Sequence, residues 1–214
     1  NIANKITVSR DGMQVLLGGE KGVRVLDFQT AEIQHIAELD APVIDISITD
    51  TVAAIATRNS DEYNLLLWDI GKRELIHQQT ISGKPLNLGW NKSSQTLLLT
   101  IQDESSLYAY SADNLKLVKK IITDRPVKQI AINHSTNRAF LTSYQNGSLS
   151  VVDLERMAFI ESVSLFENIG PIAVDVTRNQ IFAAHDDNLA IVQLENPVPE
   201  ITGLIPDEGQ ATGE

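Results

Sequence analysis

The feature that most restricts how this chain can fold is an internal repeat of 42 residues. The triplets Val25-Leu26-Asp27, Leu67-Trp68-Asp69, Ala109-Tyr110-Ser111 and Val151-Val152-Asp153 share an apolar-apolar-polar ending, and their last residues lie 42 apart. A fifth copy, Ile191-Val192-Gln193, follows 40 residues later. The same step joins Ile6, Ile48, Trp90 and Ile132, and a proline opens most units, at Pro42, Pro85, Pro126 and Pro171. A fixed period of this length marks one supersecondary unit used repeatedly along the chain.

Within a unit the pattern is β. In the second, Ile44, Ile46 and Ile48 alternate with Asp45 and Ser47, the period-2 signature of a strand. A turn at Thr49-Asp50-Thr51 leads to the apolar run Val52–Ala56, and the polar loop Arg58–Asn64 precedes Leu65-Leu66-Leu67-Trp68-Asp69. Gly71-Lys72-Arg73 then turns the chain into Glu74–Ile81. Four strands in a unit of this length predict an all-β β-propeller of four-stranded antiparallel blades. Each blade has two apolar faces and needs a neighbour on both. About five blades occupy residues 1–196, and the expectation is that they belong to a larger ring. The fifth unit shows no clear fourth strand, because Asn196-Pro197 interrupts it.

Composition removes several classes of function. The 214 residues carry 17 basic and 28 acidic side chains, a formal charge of −11, which argues against binding nucleic acid through its phosphates. There is no cysteine, so disulfide frameworks, thiolate metal sites and cysteine nucleophiles are excluded. No apolar run reaches the roughly 18–20 residues of a membrane-spanning helix. The chain opens on Asn1 rather than Met, so it is expected to be a piece of a longer polypeptide or to have lost a leader.

Two resemblances add to this reading. Leu67-Trp68-Asp69 looks like the end of a WD repeat, although the Gly-His partner of that family is missing. Gly22-Val23-Arg24-Val25-Leu26-Asp27 and Ser148-Leu149-Ser150-Val151-Val152-Asp153 resemble more closely the closing phrase of the YVTN-type bacterial propellers. That likeness implies blades in a ring of about seven. The lack of cysteine fits an extracytoplasmic location, periplasmic, secreted or at the cell surface, while a cytoplasmic scaffold of the WD type is the alternative. The run from Pro199 to Gly213 is similar to the opening of IPT/TIG immunoglobulin-like domains, so residues 197–214 are expected to hold a linker and the start of such a module.

The chemistry is sparse. Loops joining second to third strands contain Glu20, Asp61, Glu62, Asp103, Glu104, Asp186 and Asp187 against Lys21 and Arg58. Seven acids against two bases make one rim acidic and a candidate surface for a basic partner. The opposite turns hold Arg10, Lys92, Arg138 and Arg178 against Asp11 and Asp50. No loop has the ligand spacing of a calcium site. Gly18-Gly19-Glu20-Lys21-Gly22 lies between strands and reads as a hairpin, not a phosphate loop. His35, His77, His134 and His185 share neither spacing nor face, so no zinc or catalytic triad is expected. Asn91, Asn133 and Asn146 begin triplets of sequon form, which turn composition explains. Trp68 and Trp90 fall at strand positions and are expected to pack between blades.

These observations favour a non-enzymatic interaction module that binds a protein or glycan through loops on one face, with no cofactor, metal or catalytic residue. Other domains of the same longer chain would be its further partners. The competing reading is a lactonase- or hydrolase-like propeller, whose polar residues or metal would sit at the central channel. It would draw on Asp45, Asn87, Gln129 and Asp175, each of which could equally satisfy backbone groups there.

Overall fold

A computed structural model describes residues 3–9, 12–49, 51–143, 147–167, 169–186, 188–194 and 200–206. The described residues form an all-β β-propeller of five four-stranded antiparallel blades, each pairing its strands in chain order. Blade 1 comprises β1 (Ala3–Val8), β2 (Gln14–Gly19), β3 (Gly22–Asp27) and β4 (Ile33–Glu38). Blade 2 comprises β5 (Val43–Ile48), β6 (Val52–Asn59), β7 (Glu62–Asp69) and β8 (Glu74–Ile81). Blade 3 follows with β9 (Pro85–Asn91), β10 (Thr96–Ile101), β11 (Ser106–Ser111) and β12 (Leu117–Ile122). Blade 4 holds β13 (Val127–Asn133), β14 (Arg138–Ser143), β15 (Ser148–Asp153) and β16 (Ala158–Ser164). Blade 5 is built from β17 (Ile172–Asp175), β18 (Gln180–His185), β19 (Asn188–Gln193) and β20 (Glu200–Pro206). The chain divides into two compact units, one of Asn1–Gln102 with Leu107–Lys120 and one of Asp103–Ser106 with Ile121–Glu214.

The fifth blade corrects an expectation. It has a fourth strand, β20, paired with β19 from Asn188↔Pro206 to Gln193↔Glu200. The strand begins after the prolines that seemed to interrupt it, and a bulge between Ile191 and Val192 adjusts its register. Residues 200–206 of the segment that resembles an IPT/TIG opening are therefore part of a blade. Residues 207–214 lie outside the described residues.

In the first unit blade 2 buries a different residue set on each face. Ala53, Ile55 and Leu66 of blade 2 pack with Leu16, Val23, Val25 and Ala37 of blade 1. Their neighbours Ala54, Ala56, Leu65 and Leu67 point the other way, onto Leu88, Trp90, Leu97 and Leu99 of blade 3. This is strand alternation with both faces covered. It places Trp90 in an inter-blade core and Trp68 at the edge of another, as expected. In the second unit Phe140, Leu149 and Val151 of blade 4 pack with Ile181, Val192 and Leu194 of blade 5.

The repeat also has a backbone basis. Asp27 Oδ1 accepts from the amides of Gln29 and Thr30, Asp69 Oδ1 from Lys72, and Asp153 Oδ1 from Glu155 and Arg156. The polar residue that closes each triplet is thus the cap of the turn between third and fourth strands. Ser111 does the same with its hydroxyl, accepting from the Asp113 amide at 3.2 Å. In blade 5 the Gln193 side chain accepts from Gln180 Nε2 across the ladder at 2.8 Å.

One element of the period is off register. Trp68 pairs through Ala53 with Ile48, whereas its counterpart Leu26 pairs through Val15 with Val8. Val8, not Ile6, is the equivalent of Ile48, and Ile6 takes the place of Ile46. A displacement of two residues keeps a side chain on the same face, so the apolar pattern hides it.

Candidate functional site

Hydrogen bonds tie each hairpin between second and third strands to an inter-blade connection, which places both on one face of each unit. In the first unit Leu39 N donates to Lys21 O at 3.2 Å, Arg58 N to Pro42 O at 3.1 Å and Gln102 N to Lys84 O at 2.8 Å. In the second, Thr123 N donates to Ser105 O at 3.0 Å, Val127 N to Glu104 O at 3.1 Å and Leu165 N to Gly147 O at 3.2 Å. Two glycines make such contacts possible. Gly22 has φ 116°, and a Cβ there would collide with the carbonyl oxygen of Ala37. Gly147 has φ 49°, and its Cβ would fall on the carbonyl oxygen of Phe166.

The predicted acidic residues take their places on this face unit by unit. In the first unit Glu20, Asp61 and Glu62 are exposed, and Glu20 Oε1 accepts from Asn4 Nδ2 at 3.2 Å. In the second, Asp103 and Asp186 are exposed and Glu104 is half-buried. Asp187 lies outside the described residues, as do Arg10, Asp11 and Asp50. Asp186 Oδ2 lies 3.6 Å from His185 Nε2, and the His185 ring stacks on Phe166 at 4.1 Å between centroids.

Counting only the hairpins missed the connections beside them. Asp40 and Lys84 join the face of the first unit, so that Glu20, Asp40, Asp61 and Glu62 stand against Lys21, Arg58 and Lys84, close to neutral. In the second unit Asp103, Glu104, Asp124, Glu167 and Asp186 stand against Arg125 and Lys128, clearly acidic. A cleft of about 240 Å³ opens here, lined by Lys128, Ser143, Gly147, Glu167, Ile169, Gly170 and Asp186. It falls below the roughly 300–1,000 Å³ usual for small-molecule sites and suits a single side chain or sugar ring. On the turns of the opposite face the cations are partly committed. Arg178 Nη1 lies 2.9 Å from Asp175, and Arg156 Nη1 3.7 Å from Asp153.

The innermost strands hold the polar residues of the competing reading, and three of these share one repeat position. Bulges between Ala3 and Lys5, Val43 and Asp45, Pro85 and Asn87, and Val127 and Gln129 make Lys5, Asp45, Asn87 and Gln129 equivalents. Lys5 belongs to this set although sequence reading passed over it; its spacing of 40 from Asp45 was the signal. Asp175 does not belong. It sits at the far end of its strand and caps a turn through the amides of Thr177 and Arg178.

Asp45 spans three blades. Its Oδ1 lies 3.5 Å from Lys5 Nζ of blade 1, and its Oδ2 accepts from Leu88 N of blade 3 at 2.7 Å. Burial raises its pKa above the ordinary carboxylate value, a shift that Lys5 and the Leu88 amide only partly offset. In the second unit Asp124 accepts from Ser162 Oγ at 2.7 Å and Ser150 Oγ at 3.2 Å, tying the connection before blade 4 to its outer strands. Asn91 and Asn133 of the sequon-like triplets are buried and bonded within their own turns. Among the described residues no three His, Asp or Glu side chains are placed to hold a metal ion. Among them, too, no helix is long and apolar enough to cross a membrane.

The strand order and loop face define a β-propeller, and solved structures place the chain among propeller folds at low sequence identity. The Cps50 (Swd1) β-propeller domain of Myceliophteria thermophila matches with a TM-score of 0.80 at 11% identity, over 96% of this chain and 71% of that one. A functionally unknown protein from Desulfotomaculum acetoxidans matches at 0.80 and 14%, over 93% and 68%. The hydrazine synthase of Kuenenia stuttgartiensis matches at 0.75 and 14%, over 94% and 65%. No protein-family model matches the sequence, and no curated protein does. At such identities the likeness is one of fold, and an enzyme stands among the neighbours, so the fold leaves activity open.

Proposed function

We propose that this chain is a non-enzymatic interaction module of a larger, extracytoplasmic bacterial protein. It binds a protein or glycan partner through the face that carries Glu20, Asp61, Glu62, Asp103, Glu104 and Asp186, with Asp187 beside them in sequence. The observation that carries this reading is the division of labour among polar groups. Asp45 of the inner strands holds blades together, and Asp175 holds a turn. Glu20, Asp61, Glu62 and Asp186 are exposed on hairpins whose backbones are tied to the inter-blade connections. Rigid elements presenting variable loops are suited to recognition. The acidic surface of the second unit favours a partner with basic groups, and charge of this kind raises association rates at low salt.

The test is titration calorimetry with a lysine-rich peptide and an array of neutral and amino-bearing glycans, at low and physiological salt. Glu20→Lys with Asp61→Lys, and Glu104→Lys with Asp186→Lys, should each weaken the bound probe at least tenfold. Lys92→Glu on the opposite turns should leave it unchanged. Equal losses from both faces, or affinity indifferent to all these changes, would remove the loop face from consideration.

A further inference from the structure

The cleft on the loop face of the second unit mixes charges in a way that its acidic surroundings alone do not explain. Glu167 and Asp186 are exposed in its lining, Lys128 stands among them, and Ser143 adds a hydroxyl. Ile169, 4% exposed, and Gly170 supply the apolar part. That part is fixed to blade 5, since Ile169 packs with Ala183 and Ala190 and Gly170 N donates to Ala184 O at 2.7 Å. Behind the lining lie two oxygens without a partner. Thr142 pairs with Gln129 on one side and Leu149 on the other. Leu149 packs with Ile181, Val192 and Leu194 of blade 5, and residues directly opposite in an antiparallel ladder share a face. Thr142 and Gln129 therefore face the side that Ile169 and Gly170 close, and each adjoins a lining residue, Ser143 or Lys128. Thr142 is 1% exposed, and its Oγ1 and Gln129 Oε1 are buried with no hydrogen-bond partner among the described residues. Such groups are rare in folded proteins and call for a polar molecule to complete them.

We propose that this cleft binds one neutral pyranose ring at the end of a glycan; the inference rests on the loop-face reading above and names its ligand class. A lone cation would meet Lys128 in the lining, and an anion would meet Glu167 and Asp186. A hydroxyl both donates and accepts, so a ring that carries several of them satisfies both signs at once. It gives hydrogens to the two carboxylates and takes one from the Lys128 ammonium. A further hydroxyl, or a water that it carries in, completes Thr142 Oγ1 and Gln129 Oε1. The C–H face of the ring rests on Ile169 and Gly170. At about 240 Å³ the cleft holds a single ring, so the rest of the glycan lies outside it.

The test follows amide shifts of the isotope-labelled chain by NMR. The probes are the methyl glycosides of glucose, galactose, mannose and N-acetylglucosamine, the methyl glycoside of glucuronate, and a lysine-rich peptide. At least one neutral glycoside should shift the amides of Lys128, Ser143, Gly147 and Gly170 and saturate in the millimolar range. The anionic glucuronide should bind at least tenfold more weakly. Glu167→Gln with Asp186→Asn should weaken the bound glycoside at least fivefold. Thr142→Val, which keeps the side-chain shape and removes its oxygen, should weaken it at least threefold while distant amides keep their positions. Cleft shifts that come with the peptide and with no neutral glycoside would overturn the inference and leave the loop-face reading standing. Silence toward every probe would remove both. A folded Thr142→Val chain that binds the glycoside as tightly as wild type would also overturn the inference.

Discussion

Asp45 separates a structural from a chemical use of the inner strands, and replacing it puts numbers on the difference. In Asp45→Ala the amide of Leu88, a residue 8% exposed, loses its acceptor. An orphaned buried donor costs about 1–3 kcal/mol. Lys5, with 39% of its side chain exposed, can turn to water, so its lost ion pair adds only about 0–1 kcal/mol. The expected cost is about 1–4 kcal/mol. Asp45→Asn keeps an oxygen acceptor in place and removes a charge that burial disfavours. Its cost should stay within about 1 kcal/mol, and amides already occupy the equivalent positions at Asn87 and Gln129. Urea unfolding at pH 7 measures both variants. The pH dependence has a definite sign. A carboxyl whose folded pKa is raised contributes stability that is fully present below the unfolded value and is lost as pH rises through the folded one. Wild type should therefore gain on Asp45→Asn as pH falls toward and below the ordinary carboxylate value. If the asparagine variant loses as much as the alanine variant, the charge pair with Lys5 is the contact that matters. If both lose less than about 0.5 kcal/mol, Asp45 holds nothing together and the division of labour argued for this chain fails.

Three further outcomes are expected. Ala31 is exposed with φ 56°, so Ala31→Gly should relieve about 1–2 kcal/mol of left-handed strain, set against the added freedom of the unfolded chain. A net gain of up to about 1 kcal/mol in chemical denaturation is the prediction, and a loss would contradict it. Gly147→Ala should cost about 3 kcal/mol, combining that strain with the disturbed amides of Leu165 and Phe166, which both donate to Gly147 O. Calorimetric melting would reveal it, and an unchanged melting temperature would deny the close approach. Asp69 and Asp175 have pKa values lowered chiefly by the amides of Lys72 and Arg178. Their contribution is present above the ordinary carboxylate value and is lost as pH falls through the folded one. Melting temperature should thus decline with acid, less steeply in Asp69→Asn with Asp175→Asn, and identical slopes would rule out these caps as a source of acid sensitivity.

The repeat made the fold legible because a blade is a local object: its strands, turns and caps are neighbours along the chain. The triplets ending in Asp27, Asp69, Ser111 and Asp153 announced the blades by their spacing, and the structure added that their last residues cap turns. Other features carry no such mark. Ala31, Arg73, Leu115 and Met157 all adopt φ between 51° and 57°, at steps of 42 residues, yet none is a glycine or asparagine. The hairpin imposes that conformation because the ladders on either side of it over-determine the turn. The fourth strand of blade 5 was hidden in the same way, since Glu200–Pro206 resembles the start of another domain and only pairing with β19 assigns it.

Of the loop face, the sequence showed which residues are acidic and that their hairpins share a side. It did not show that the inter-blade connections nearly neutralise the first unit and leave the second acidic, because bonds such as Arg58 N to Pro42 O join residues 16 positions apart. By itself, then, the sequence determined the period, the four-stranded unit and the presence of about five blades. The tertiary structure alone decided that Lys5 and Asp45 meet and that Val8 rather than Ile6 matches Ile48. These depend on register and on what packs against a sheet, and a two-residue slip leaves an alternating pattern looking the same while it changes every contact across the ladder.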